Sequence, residues 1–135
     1  MEGLSLLFLE AHNEGNISRV SLDCLIKICH ILFVGDVLIM NLALLEECKI
    51  IQVCLKIFGN VVGFSININK STVYWIGLDS VELQCFKSLL PYPLFTLENG
   101  LKYLGCYIKP LGYGVSDWLW IISKFEKCIH NRCCI

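Results

Sequence analysis

One carboxylate, Asp36, stands between two apolar runs, with His30-Ile31-Leu32-Phe33-Val34 before Gly35 and Val37-Leu38-Ile39-Met40 after the acid. Strand-length apolar runs around a Gly-Asp pair predict a tight β-hairpin that lifts one acid out of a buried sheet. Read by itself, Asp36 is equally a turn aspartate tolerated because it reaches solvent. The other chemically able residues are nine cysteines, an odd number without a CxxC spacing. The tail Cys128, His130, Cys133 and Cys134 lacks a second ligand pair at zinc-finger distance. Reduced, mostly buried thiols of an intracellular protein are the expectation.

The elements that would hold Asp36 follow from periodicity. Leu4, Leu7, Phe8 and Ala11 lie at helical spacing in residues 3–14, and Asn13-Glu14-Gly15-Asn16 ends that helix. Residues 17–22 alternate as a half-buried strand does. The arms of the hairpin, residues 26–34 and 37–40, are almost continuously apolar, which predicts a central hairpin covered on both faces. A helix capped by Asn41 runs to about Phe58 with Leu44, Cys48, Ile51, Leu55 and Phe58 on one face.

Phe64, Ile66 and Ile68 alternate with Ser65, Asn67 and Asn69 as in an edge strand, and the β-forming residues 72–76 continue it. Asp79 with Glu82 predicts a capping box ahead of a helix that turns Val81, Cys85, Phe86 and Leu89 inward and stops at Pro91. Residues 101–108 read as a strand pair. Ser116-Asp117 caps a last helix with Trp118, Ile121, Ile122, Phe125 and Ile129 on its apolar side.

Composition narrows the function classes. With 135 residues, 56% of them hydrophobic, the chain can build one core, and a net charge of −1 gives no global positive field to draw in nucleic acid or anionic lipid. Residues 28–45 approach membrane-spanning length, but Asp36 near the centre would cost about 2.5–3.5 kcal/mol on insertion scales. Buried strands explain the run better, and no signal-peptide pattern opens the chain.

The ordered set Glu2-Gly3-Leu4-Ser5, the His30–Met40 hairpin, Gly63-Phe64-Ser65-Ile66-Asn67 with Asn69-Lys70-Ser71, Gly100-Leu101-Lys102-Tyr103-Leu104-Gly105 and Asp117-Trp118 resembles the reverse transcriptase of non-LTR, LINE-type retrotransposons, in a plant-like degenerate copy. The resemblance covers nearly the whole chain. It implies an α+β fold with an antiparallel palm-type sheet, a central β-hairpin and helices packed on one face, as an incomplete domain. Residues 1–90 would be a partial palm, 91–112 a primer-grip-like strand region and 113–135 the start of a thumb-like helical region.

RNA-directed DNA polymerisation with two magnesium ions is the activity the resemblance implies, with an RNA template and a DNA primer as partners. Phe33-Val34-Gly35-Asp36 matches the family's metal-holding hairpin, with glycine at the first aspartate position. The family's remaining aspartate lies on a strand upstream of these motifs. Asp36 is then the one catalytic and metal-holding carboxylate carried over out of three, and inactivity is the expectation, because magnesium is a hard cation that needs several oxygen ligands.

Lys70 matches a lysine that faces the incoming nucleotide's phosphates, and solvation alone also accounts for it. Tyr103, Leu104 and Gly105 match the hairpin that grips the primer terminus, with Gly105 allowing close approach and Tyr103 a stacking face. Packing explains them too. Template and primer binding is therefore expected to be weak or absent, membrane binding absent, and self-association through an exposed sheet edge is expected. Two other readings are an interaction or nucleic-acid-binding module that reuses the palm and a membrane-associated polypeptide.

Overall fold

The computed structural model describes residues 2–21 and 24–132. The chain is an α+β protein in which helices alternate with short strands that pair in twos. It divides into two units, Met1–Val73 with Gly77–Leu94 and Tyr74–Ile76 with Phe95–Ile135.

In the first unit, α1 (Glu2–Asn13) and α2 (Leu45–Val62) enclose the core with a hairpin of β3 (His30–Phe33) and β4 (Asp36–Ile39). Leu4, Phe8 and Ala11 of α1 meet Ile51, Cys54 and Phe58 of α2, together with Ile17 and Cys29. Leu4 and Phe8 are fully buried, and each such side chain stabilises the fold by roughly 1.5–3 kcal/mol. From α2 the carboxylate of Glu47 also enters, its Oε1 accepting the Ser18 N–H at 3.1 Å.

The hairpin register explains how its two faces differ. His30 pairs with Ile39 and Leu32 with Val37, so these four share a face, while Ile31, Phe33, Asp36 and Leu38 share the other. Leu32, Val37 and Ile39 pack on the core, whereas Phe33 is 53% exposed. The expectation that both faces are covered fails, because the helices lie against one face only. A period-2 division exists in the fold, but apolar residues on both faces conceal it in the sequence.

Other departures have local causes. Strand formation in residues 17–22 is confined to β1 (Val20–Ser21), antiparallel to β2 (Lys27–Ile28), since Ile17 turns into the core; Leu22 lies outside the described residues. Asn41 does not cap α2. Its Oδ1 accepts the Ala43 N–H at 2.7 Å, holding a local turn, and the helix starts after Leu44. The same helix continues through Gly59-Asn60 to Val62, and a Cβ at Gly59 would stand 2.6 Å from the Phe64 carbonyl oxygen.

Residues 64–69 are not a strand: Ile68–Lys70 form a 3₁₀ turn, and Asn67 Oδ1 accepts the Asn69 N–H at 3.1 Å. An alternating run needs a neighbour to pair with, and here the Asn67 side chain supplies the local alternative. α3 (Ser80–Leu89) has the expected capping box, with Asp79 Oδ1 accepting from Val81 and Glu82 N–H and Glu82 Oε2 accepting from Asp79 N–H. Of its four residues expected inside, Phe86 is buried, Leu89 is half-buried, and Val81 and Cys85 are exposed.

β5 (Val73–Trp75) pairs with β6 (Leu94–Thr96). In the second unit, β7 (Leu101–Tyr103) and β8 (Cys106–Ile108) form an antiparallel hairpin. A 3₁₀ turn at Val115–Trp118 leads into α4 (Leu119–Arg132), so Ser116-Asp117 stands one turn ahead of the helix proper. The apolar side expected on α4 is largely uncovered: Trp118, Ile122, Phe125 and Ile129 are exposed. Among the described residues no helix is long and apolar enough to cross a membrane.

Candidate functional site

Val34 and Gly35 form the two-residue turn between β3 and β4, at φ 44° and 96°. Left-handed φ at both positions suits a hairpin turn whose twist matches the strands, and glycine adopts it without strain. Asp36 is thereby the first residue of β4, opposite Phe33 on the outer face. The register places the glycine in the turn and the acid one step beyond, exposed to solvent.

Lys70 ends the 3₁₀ turn after α2 and is exposed. Among the described residues the ion pairs are Lys49–Glu46 and Lys109–Asp117, so Lys70 and Asp36 stand in neither. Nor do the described residues contain a cluster of three or more His, Cys, Asp or Glu side chains placed to hold a metal ion. Asp36 alone supplies fewer oxygen ligands than two hard cations require. Cys133 and Cys134 lie outside the described residues.

Tyr103, Leu104 and Gly105 belong to the second unit, where Leu104 and Gly105 repeat the left-handed two-residue turn at φ 52° and 85°. Tyr103 is half-buried and pairs with Cys106, while Leu104 is exposed at the tip. Trp120 and Lys124 of α4 lie just beyond Gly105, within 4 Å of where a Cβ would be, and Lys124 Nζ sits 4.9 Å from the Trp120 ring centroid. A Cβ there would make only ordinary contact with the helix, so the positive φ, not a close approach, is what favours glycine at this turn.

The loop between β8 and α4 is held by its own bonds. Lys109 Nζ donates to Asp117 Oδ1 at 2.6 Å, Gly114 N–H donates to Oδ2 at 2.8 Å, and the Tyr113 hydroxyl accepts from Lys109 N–H and donates to Tyr107 O. The Lys109 hydrogen bond, aided by Gly114 N–H, holds the Asp117 carboxyl below the usual range.

A polar cluster that sequence reasoning missed lies at the junction of α1 and β3. His30 Nε2 is 2.9 Å from Ser5 Oγ, its Nδ1 is 3.0 Å from Cys29 Sγ, and its ring stands against Phe8 with centroids 5.0 Å apart. Burial, followed by the Arg19 charge, pushes the His30 pKa down, and burial pushes the Cys29 thiol up. Both are therefore neutral at pH 7. The available signal was a Ser and a His interrupting apolar elements 25 residues apart, which only the packing of α1 on the hairpin brings together. Comparison with models of known protein families, with curated proteins and with solved structures found no match.

Proposed function

We propose that the chain is a fragment of a retrotransposon-type RNA-directed DNA polymerase that does not catalyse polymerisation. One observation carries this reading: a tight hairpin with its helices on one face opens its second strand with Asp36 and places Gly35 in the turn. By the resemblance, Gly35 stands where a second metal-holding carboxylate belongs, so the carboxylate count fails while the hairpin survives. Losing charge stabilisation worth several kcal/mol at a transferring phosphoryl group lowers the rate tenfold for each 1.36 kcal/mol. Magnesium, template and primer are the ligands of the ancestral enzyme on this reading.

Sequencing the genomic DNA on both sides tests the assignment. Remains of the other polymerase motifs, in frame or decayed, are expected; flanks that carry none of them would contradict it.

A second reading, nucleic-acid retention by residues 95–135, is favoured by local charge and exposure. That stretch carries five Lys or Arg against three Asp or Glu, and exposes Tyr107, Tyr113, Trp118 and Phe125. Cations beside aromatic faces suit single strands. Binding of a labelled single-stranded RNA that weakens steeply between 50 and 200 mM salt, as phosphate contacts require, supports it; salt-independent or absent binding removes it.

A further inference from the structure

We propose that Ser5, His30 and Cys29 form a nucleophile, its general base and the base's positioning residue, and that Ser5 accepts the acyl group of a small neutral ester bound in the groove beside it. The set meets the geometric condition for an activated hydroxyl: nucleophile and base within hydrogen-bond reach, and the base held by a third group. Ser5 Oγ lies 2.9 Å from His30 Nε2, and Cys29 Sγ lies 3.0 Å from Nδ1. The proposal requires the tautomer with the ring proton on Nδ1 directed at Cys29 Sγ, in which the Nε2 lone pair accepts the Ser5 O–H. Phe8, 5.0 Å away and tilted by 47°, fixes the plane of the imidazole. The ring is kept in the unprotonated form a base needs, because burial and the Arg19 charge both disfavour the imidazolium.

Ser5 is half-buried and opens onto a groove of about 520 Å³ lined by Glu2, Ser5, Leu6, Leu9 and Leu32. The groove is open, with Leu6 64% and Leu9 43% exposed, so a molecule lying in it keeps one side in solvent. Three leucines offer a surface for an apolar acyl chain, and the single charged lining residue, Glu2, disfavours an anionic one. Cys29 is not the nucleophile. It is 93% buried, at 7% exposure, and its thiol is raised away from thiolate by burial.

In the reaction, Ser5 Oγ bonds to the ester carbonyl carbon while its proton passes to His30 Nε2. The carbon–oxygen bond to the alcohol breaks, and the leaving alkoxide takes that proton. Water then attacks the acyl carbon, giving a proton to Nε2, and the carboxylic acid departs as Ser5 recovers its proton. Cys29, a neutral thiol, orients the imidazole less strongly than a carboxylate would, so acylation is the step to measure.

The whole chain is incubated with a fluorophosphonate probe and, separately, with neutral p-nitrophenyl butyrate and the anionic p-nitrophenyl hemisuccinate. One adduct per chain is expected, mapped to Ser5 by peptide mass, together with a nitrophenol burst from butyrate that exceeds the burst from hemisuccinate. Ser5→Ala abolishes the adduct, and His30→Gln slows it roughly 100-fold, the contribution of a general base. Labelling also slows in acid, as the pH falls through the lowered His30 pKa and the ring gains a proton. Cys29→Ser moves the midpoint of that pH profile, which a packing role alone would leave in place.

Absence of an adduct, an adduct at another residue, or labelling of His30→Gln at the unmodified rate overturns the proposal. Should His30→Gln fail to fold by circular dichroism, the pH profile decides, and pH-independent labelling overturns it. No nucleic acid enters the assay, so its outcome is separate from that of the polymerase reading.

Discussion

Val34 holds φ 44° with a β-branched side chain that is 92% exposed, so it gains no packing in return for the strain. Asparagine adopts this conformation more readily, and Asn-Gly is a favoured pair in a two-residue hairpin turn. Val34→Asn should therefore raise stability by about 1 kcal/mol in urea unfolding. His30 gives a pH prediction of defined sign. Its folded pKa is lowered by burial and by Arg19, so the unfolded chain binds more protons below the ordinary value of about 6.5.

His30's contribution is complete above that value and is lost as the pH falls toward the lowered folded one. The groups facing His30 are Ser5 and Phe8 of α1, the adjacent Cys29, and Arg19 by charge. His30→Gln should unfold with a flatter pH dependence below about 6.5 than the unmodified chain. Legibility at this scale was uneven. The Gly35-Asp36 pair announced a turn, but no local pattern announced the Ser5–His30 contact, because it is made by tertiary packing.

At the scale of elements, sequence signals worked where the determinant is local. The Asp79–Glu82 capping box was readable because all its partners lie within four residues, and it forms as expected. Asp79→Ala should cost about 1 kcal/mol of stability, measured by thermal or urea unfolding. The helical face Leu4, Phe8 and Ala11 was also readable, since its 3.6-residue period comes from the helix itself. Residues 64–69 mark the limit of such reasoning: alternation states that a strand is possible, while pairing depends on a neighbour elsewhere in the chain. Gly59 shows a tertiary demand of a different sort. Alanine there would push a Cβ against Phe64 O, so Gly59→Ala should destabilise despite its better helix propensity.

At the scale of the whole molecule, much apolar surface stays uncovered on the outer hairpin face and on α4, with Phe33, Val34, Ile122, Phe125 and Ile129 all exposed. Each described sheet has two strands, so each strand has one unpaired edge. Self-association at tens of micromolar is the expected result in light scattering, and a clean monomer would argue against it. The α+β class was legible because helical periods occur along the chain beside two apolar arms that flank the Gly35-Asp36 turn. The division into four strand pairs was not, since it depends on which strands find partners.

Catalysis is the most direct test of the central claim. Purified chain is given a primer annealed to an RNA template, deoxynucleotides and magnesium, alongside Gly35→Asp and Asp36→Ala. No extension is expected from any of the three, because on the proposed reading restoring one acid gives two of the three carboxylates that a polymerase of this kind uses. Magnesium-dependent extension by the unmodified chain, abolished in Asp36→Ala, would contradict the account and show that other groups complete the metal site.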